Sequence, residues 1–256
     1  MDCDGVLNDE TEHENAVTTA ILEDLAQRTG IDYSNLRTEF NRLSQEATEQ
    51  HWSWKPNQRY TSAYAGESIF MTQLAVFENM LKIKYRDAIL TDHDDVDDYI
   101  YQIYKQVSQS FEKRIRQVAS SLLDKLYESD HEVTLVTNSP SNNGWGELTH
   151  NIERIKKIGN ARKHYVDSDE YIFASGRFVM VDRPHYNQIL EDANPGVVVG
   201  DTFSLDLSLP AHKRIPIVLV TTPYTSDWAK AATKEFNGVI IDYDQIDQIP
   251  ELIEEI

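Results

Sequence analysis

Val133-Thr134-Leu135-Val136-Thr137-Asn138-Ser139-Pro140 is a short apolar run that ends in turn-forming polar residues. Its length, its β-branched content and its Asn-Ser-Pro boundary mark a buried strand followed by a turn. Four more short apolar runs follow, at residues 178–181, 197–199, 217–220 and 239–241, separated by partly helical spacers. One spacer carries Ile152, Ile155 and Ile158 at helical spacing, which predicts a helix there. Strands alternating with helices predict right-handed crossovers and an α/β core: a Rossmann-like, mostly parallel sheet with helices on both faces. Ligands of such sheets bind beyond the carboxyl ends of the strands. The residues just after each run are therefore the ones that matter for function.

Upstream, from about residue 14 to residue 128, the texture differs. Gly and Pro are scarce, and apolar residues recur at helical spacing. Val17, Ile21 and Leu25 form one stripe; Leu36, Phe40, Leu43 and Ala47 form a second, for which Ser34 is the expected N-cap. Phe70, Leu74 and Phe77 give a third, and Val96, Ile100, Ile103, Val107 and Phe111 a fourth, entered through the acidic run at residues 92–98. Negative charge suits the positive end of a helix dipole, so that run reads as a solvated helix start before it reads as a cation site. A fifth helix is expected near residues 117–128, with Val118, Leu122 and Leu126 on its apolar stripe. The two textures divide the chain into an all-α segment, residues 13–112, inserted into an α/β core made of residues 1–12 and 113–256. Within the insert, His51-Trp52-Ser53-Trp54-Lys55-Pro56-Asn57-Gln58-Arg59-Tyr60 clusters aromatics and bases without helical spacing. It reads either as a packed inter-helix loop or as a specificity loop that grips a small ligand.

Composition removes several function classes. The 256 residues carry 24 Lys plus Arg against 43 Asp plus Glu, a formal net charge of −19. Phosphate-backbone binding needs clustered Lys and Arg, so no nucleic-acid partner is expected. No window approaches the ~18 consecutive apolar residues of a membrane span, and the acidic first ten residues lack the basic and apolar regions of an export signal. The single cysteine, Cys3, rules out an internal disulfide and favours a reducing, cytoplasmic setting. Oligomeric state leaves no mark in the sequence.

The strand-end positions are chemically useful. They hold Thr137-Asn138 after the first run, Asp182-Arg183-Pro184 after the second, and Gly200-Asp201 with Asp206 after the third. At the N-terminus Asp2-Cys3-Asp4-Gly5-Val6-Leu7 adds two carboxylates two residues apart, then a glycine that permits a sharp turn. Alternation along an extended segment turns Cys3 away from Asp2 and Asp4, so it reads as a buried spacer and not as a nucleophile. Asp2, Asp4, Asp201 and Asp206 are thus expected at one sheet edge, where, unpaired, they would raise one another's pKa. A divalent cation is the natural remedy. Mg²⁺ takes one or two carboxylates and keeps waters and substrate phosphate in its other positions. Thr137 would supply a hydroxyl donor, and Arg183 a fixed positive charge, for phosphoryl oxygens. Asp201 is also placed to cap a helix, a role compatible with metal binding.

These residues resemble the haloacid dehalogenase superfamily of phosphohydrolases. Asp2-Cys3-Asp4-Gly5-Val6-Leu7 looks like its first motif, Val133-Thr134-Leu135-Val136-Thr137-Asn138-Ser139 like its second, and Gly200-Asp201 with Asp206 like its fourth. Arg183-Pro184 stands where the third motif usually shows Lys-Pro; Lys163, which lies earlier than that motif, is the possible substitute. The resemblance implies that Asp2 attacks phosphorus, that Asp4 is general acid and base, and that Thr137, Asn138 and Arg183 hold the phosphoryl group. It also implies a metal site of Asp2, Asp4 through its backbone carbonyl, Asp201 and Asp206, and that the all-α segment is a cap. Asp4 favours phosphate-ester hydrolysis over dehalogenation, because a departing halide needs no proton. The expectation is therefore a Mg²⁺-dependent phosphohydrolase acting on a small phosphorylated metabolite. A phosphomutase shares the same residue set, and a weak or inactive binding or regulatory protein keeping the fold is the remaining alternative. Family members carry an apolar strand ahead of the first Asp, whereas here only Met1 precedes Asp2. The first core strand is accordingly expected to be missing, and the start to be truncated relative to a functional ancestor or gene product.

Overall fold

The computed structural model describes residues 1–54, 63–93, 95–110, 116–129, 131–138 and 155–254. It forms two compact units, Met1–Asp9 with Lys113–Ile256, and Glu10–Pro56 with Ala63–Glu112. The insert thus opens at Glu10, three residues before the boundary set by the change in texture. Residues 55–62 lie outside the described residues, as do Phe111, Ser139, Pro140, Trp145 and Ile152.

The insert is helical. Its elements are α1 (Thr11–Thr29), α2 (Tyr33–Gln50), a minimal antiparallel pair β1 (Ser53–Trp54) and β2 (Ala63–Tyr64), then α3 (Ile69–Ile83), α4 (Arg86–Ile89) and α5 (Val96–Ser110). The helical stripes become its core, with Val17, Ile21, Leu25, Leu36, Phe40, Leu43, Ala47, Phe77, Val96 and Ile100 all buried together. Such burial of apolar faces, at roughly 25 cal/mol per Å², is what holds short helices that would be marginal alone. Helix α2 does not start where the sequence suggested. Asp32, in extended conformation, is the N-cap and accepts a 2.8 Å bond from the Ser34 amide. Ser34 lies inside the first turn, its hydroxyl turned back onto Asp32. The cap thus lies two residues before Ser34, at Asp32, whose carboxylate can reach the Ser34 amide.

In the α/β unit the order is α6 (Gln117–Glu128), β3 (Thr134–Val136), β4 (Lys156–Ile158), β5 (Tyr171–Ala174), β6 (Arg177–Met180), α7 (Pro184–Ala193), β7 (Val198–Gly200), α8 (Ser208–His212), β8 (Ile217–Thr221), α9 (Asp227–Glu235), β9 (Val239–Asp242) and α10 (Ile249–Ile253). Strands β7, β8 and β9 form a parallel sheet in that order. Strand β8 is buried at all five residues, as a continuous apolar run in a two-sided parallel sheet must be. Val218 and Val220 pack with Leu122, Leu126 and Ile249 of the flanking helices. Ile217, on the opposite face, lies against Thr233 of α9 at the tight crossing over Gly238. Helices therefore cover both faces.

Strands β3 and β4 form a second parallel pair, with Val136 opposite Ile158. The chain terminus joins the two sheets. The Met1 ammonium donates to the Thr134 carbonyl at 2.9 Å, the Met1 carbonyl accepts from Val136 N–H at 2.9 Å, and Asp2 N–H donates to the Val199 carbonyl at 2.8 Å. Met1 and Asp2 thus lie between β3 and β7. A cavity of about 450 Å³ lies beside them, walled by Val133, Val136, Val197, Val199, Leu126 and Ile253.

Two expectations fail here. The isoleucine spacing predicted a helix reaching Ile158, but Lys156–Ile158 is strand β4. Pairing with β3 overrides a periodicity resting on three residues. The run at residues 178–181 belongs not to the parallel sheet but to an antiparallel hairpin, β5 with β6, closed by Ser175 and Gly176 at φ of 44° and 88°. That pair of left-handed residues is the hairpin turn. Among the described residues, no helix is long and apolar enough to cross a bilayer.

The cap of α2 is open to test. Asp32→Ala should lower the unfolding free energy by about 1 kcal/mol, whereas Ser34→Ala should cost less, since its amide and not its hydroxyl makes the capping bond. Thermal melts of the two variants decide between the residues, and equal losses would contradict this assignment.

Candidate active site

The carboxyl edge of the sheet gathers its polar side chains around Asp2. Extended pairing to β7 fixes its backbone, and the chain then turns sharply, with Gly5 at φ 78° and Leu7 N–H returning to the Cys3 carbonyl at 2.8 Å. Gly5 is required twice over. Its φ is left-handed, and a Cβ there would collide with the Asp201 carboxylate. Gly200, at the end of β7, is constrained in the same way, because a Cβ would run into the Asp206 side chain. Cys3 points into the apolar core with Val6 and Leu7.

Asp2, Asp201 and Asp206 are buried and can each aim a carboxylate oxygen at a common point, all within 4.8 Å of one another. Lys163 places its ammonium among them, 2.7 Å from Asp2 Oδ1 and 2.7 Å from Asp206 Oδ1. Asp206 Oδ2 accepts the Thr202 N–H at 3.0 Å. Asp4 stands apart from this cluster. Its carboxylate accepts from Thr137 Oγ1 at 2.8 Å and from Asn8 Nδ2 at 3.1 Å, while Asn8 Oδ1 takes the Gly5 N–H at 2.9 Å. The structure thus separates the two N-terminal carboxylates by environment, Asp2 dry and ion-paired, Asp4 half-buried beside a hydroxyl. Such a division of environments is what allows two carboxyl groups to take different roles.

Burial is the largest influence on Asp2 and pushes its carboxyl up to about 7; the charges of Asp206 and Asp4 add to this, and Lys163 opposes it. For Lys163, burial alone would lower the ammonium, but the charges of Asp2 and Asp206 hold it well above its ordinary value. The neighbouring Met1 ammonium is lowered to about 6, first by burial and then by Lys163.

Lys163 and not Arg183 is the cation of this site. Lys163 lies in the loop after β4, where Asn160 and Arg162 adopt φ of 52° and 49°. Ala161 N–H bonds the Thr137 carbonyl at 3.0 Å, and the Lys163 N–H bonds Asn138 Oδ1 at 2.8 Å. Asn138 therefore acts on the backbone of this loop through its side-chain oxygen. Arg183, 1 % exposed, spends its guanidinium elsewhere: Nε on the Met180 carbonyl, Nη1 on the Lys163 and Leu205 carbonyls, and Nη2 on the Ser204 carbonyl and Ser208 Oγ. Its expected contact with phosphoryl oxygens is thereby corrected. Lys163, expected only as a substitute because it lies earlier in the chain than the third motif, is delivered by the end of β4, which the sequence reads as part of a helix.

No family model and no curated protein matches the chain. Among solved structures it is similar to a haloacid dehalogenase-like family hydrolase from Xanthomonas campestris, at 10% identity over 99% of this chain and 90% of that one, with a TM-score of 0.47. It is also similar to a 2-haloacid dehalogenase from Pseudomonas syringae pv. Tomato, at 15% identity over 99% and 96%, with a TM-score of 0.46.

The donor set fits a hard divalent cation. Three buried carboxylates lie around one ammonium, an excess of negative charge when all are ionised, and oxygen donors of this kind suit Mg²⁺. The cost of that excess charge is measurable. In cation-free protein Asp2 holds its proton more tightly folded than unfolded, about 7 against 3.8. Folded-state proton binding exceeds that of the unfolded chain between those values, so stability is greatest at the acid end of the window and falls as pH rises through about 7. Melting in a chelator should therefore show a midpoint that declines from about pH 5 to about pH 8, and Asp2→Asn should flatten that decline. An unchanged slope in the variant would contradict the assignment.

Proposed function

We propose that this chain is a hydrolase of the haloacid dehalogenase superfamily that cleaves a small organic phosphate monoester with the help of Mg²⁺. The observation that carries the reading is the buried cluster of Asp2, Asp201 and Asp206 around Lys163, at the carboxyl edge of a parallel sheet. Three segments supply it: the Asp2 segment, the loop after β4 that carries Lys163, and the stretch from Asp201 to Asp206 after β7. Asp4 and Thr137 at 2.8 Å from each other supply a half-buried proton-transfer pair beside it.

In this reading Asp2, Asp201 and Asp206 hold the cation, directly or through water. When bound, Mg²⁺ lowers the charge on the phosphoryl oxygens and keeps the Asp2 carboxylate ionised. The Asp2 oxygen attacks phosphorus in line as the bond to the ester oxygen breaks, leaving the phosphoryl group on Asp2 and the alcohol to depart. Asp4, in its acid form, gives that leaving oxygen its proton; as carboxylate it then takes one from the water that attacks the phosphoryl-aspartate, which releases inorganic phosphate and restores Asp2. Acid–base assistance of this kind is worth about 10²–10⁴-fold. Lys163 orients Asp2 through its 2.7 Å ion pair and presents positive charge where phosphoryl oxygens gather. Thr137 Oγ1, which donates to Asp4 in the free site, is the hydroxyl placed to turn to a phosphoryl oxygen. A halide would leave without a proton and make no use of Asp4; this favours an ester as substrate. The helical unit is read as a cap that selects it.

Hydrolysis of para-nitrophenyl phosphate should require Mg²⁺ and stop in a chelator. Asp2→Asn should abolish turnover and the acid-stable trace of phosphate on the protein, Asp4→Asn should lower kcat by about 10²–10⁴-fold, and Lys163→Met by about 10²–10³-fold. No turnover by the parent protein with a panel of phosphate esters, together with no change in Asp2→Asn, would leave the binding or regulatory alternative in its place.

A further inference from the structure

Asp206 reaches the site from an unusual backbone. Phe203–Leu207 is a single π-turn, closed by Ser208 N–H on the Phe203 carbonyl, and α8 continues directly from it. Wide turns of this kind are rare and cluster at functional sites. The sequence gives a cause. Pro210 follows Asp206 by four residues, so the Asp206 carbonyl has no helical N–H to accept, and the proline ring would crowd that same carbonyl in a regular helix.

The carbonyls of the turn are taken up by side chains from the start of α7. Tyr186 Oη donates to the Asp206 carbonyl at 2.7 Å, in place of the donor that Pro210 lacks. Arg183 Nη1 donates to the Leu205 carbonyl at 2.7 Å and Nη2 to the Ser204 carbonyl at 2.6 Å, while Ser208 Oγ, itself bonded by Arg183, also reaches the Ser204 carbonyl at 2.8 Å. The same guanidinium holds the Lys163 carbonyl at 3.2 Å. One side chain therefore ties together the backbone of the site's ammonium and the backbone of the carboxylate that pairs with it. Arg183 is 1 % exposed and Tyr186 2 %. Desolvated charge and phenol in these places are costly to keep without their partners.

We propose that Arg183 and Tyr186 are positioning residues: they hold the π-turn open and so fix the Asp206 carboxylate against Lys163 and toward Asp2 and Asp201. Neither touches a reacting atom. The proposal rests on the reading of that cluster as a cation and phosphoryl site, but its structural half stands without turnover. A regular helix at residues 203–207 would rotate Asp206 away, because removing the extra residue of the wide turn shifts every side chain after it by about 100° around the axis.

The test uses the full chain with Tyr186→Phe, which removes one hydroxyl and keeps the ring, and with the pair Arg183→Lys and Arg183→Met. Crystal structures of the cation-free variants report whether Asp206 stays within ion-pair distance of Lys163. Mg²⁺ titration of activity and of the melting midpoint reports the site. Expected for Tyr186→Phe is a folded protein whose half-saturating Mg²⁺ concentration rises about 10- to 100-fold, with substrate KM little changed, and with Asp206 displaced in the crystal. Arg183→Lys should recover part of what Arg183→Met loses, in Mg²⁺ requirement and not only in melting midpoint. A Tyr186→Phe protein with lowered stability but parental Mg²⁺ requirement and an intact Asp206–Lys163 pair would overturn the proposal, since the bonds would then be mere packing between α7 and α8. If the parent protein turns over no ester, the reading as a phosphohydrolase fails by itself. The crystal structures still decide, with a displaced Asp206 supporting the positioning role and an unmoved one overturning it.

Discussion

The ion pair of Lys163 with both Asp2 and Asp206, 2.7 Å on each side, is the constraint around which the rest of the α/β unit is arranged. A buried ammonium is costly without carboxylates in contact, and charged carboxylates this close are costly without a positive charge among them. Each of the surrounding features serves that closeness. Gly5 and Gly200 lack the Cβ that would strike Asp201 and Asp206. Two left-handed residues, Asn160 and Arg162, bend the loop so that Lys163 returns across the sheet edge. Asn138 holds that loop by its backbone. Removing any one of these would not delete a charge; it would separate charges that are stable only together.

The nucleophile candidate has a slender support. Asp2 is placed by the bonds that Met1 and Asp2 make to β3 and β7, each worth on the order of 1 kcal/mol net. Above it the turn through Gly5 and the burial of Val6 and Leu7 anchor the segment in the core. Beside it lies the cavity of about 450 Å³, lined by Met1 and Asp2 together with Val136, Lys163, Val199 and Asp206. Asp2 is therefore held from the sides, by the Lys163 ammonium and the Val199 carbonyl.

What the residues disclosed in advance follows a physical dividing line. Burial and turn chemistry are local, so the runs at 197–199, 217–220 and 239–241 became β7, β8 and β9, and the apolar stripes of the insert became its core. Strand-end logic also brought Asp2, Asp201, Asp206 and Thr137 to attention before any coordinates. It failed at β4, because Lys156-Lys157-Ile158 has two charged residues out of three and becomes a strand only through its pairing with β3. Lys163 therefore stood only as a substitute for Arg183, since it lies earlier in the chain than the third motif would place it. The hairpin of β5 and β6 misled in the same direction: its second strand looked like a sheet strand, so Arg183 looked like a strand-end residue. Periodicity could not reveal either partner choice, since pairing is decided by residues far apart in the chain.

Electrostatics orders the events that the proposed function requires. The chain as a whole carries −19, and the site before any cation arrives holds three carboxylates against one ammonium. A phosphate monoester approaching that site would meet net negative charge at short range, where low dielectric makes repulsion strong. A divalent cation held by Asp2, Asp201 and Asp206 would offset that excess and favour the ionised form of Asp2, whose carboxyl burial otherwise pushes up to about 7. On this reading Asp206 and Lys163 serve the free protein as much as the reaction: they keep an acidic site folded until the cation comes, and the geometry that Arg183 and Tyr186 impose on them is what makes it ready.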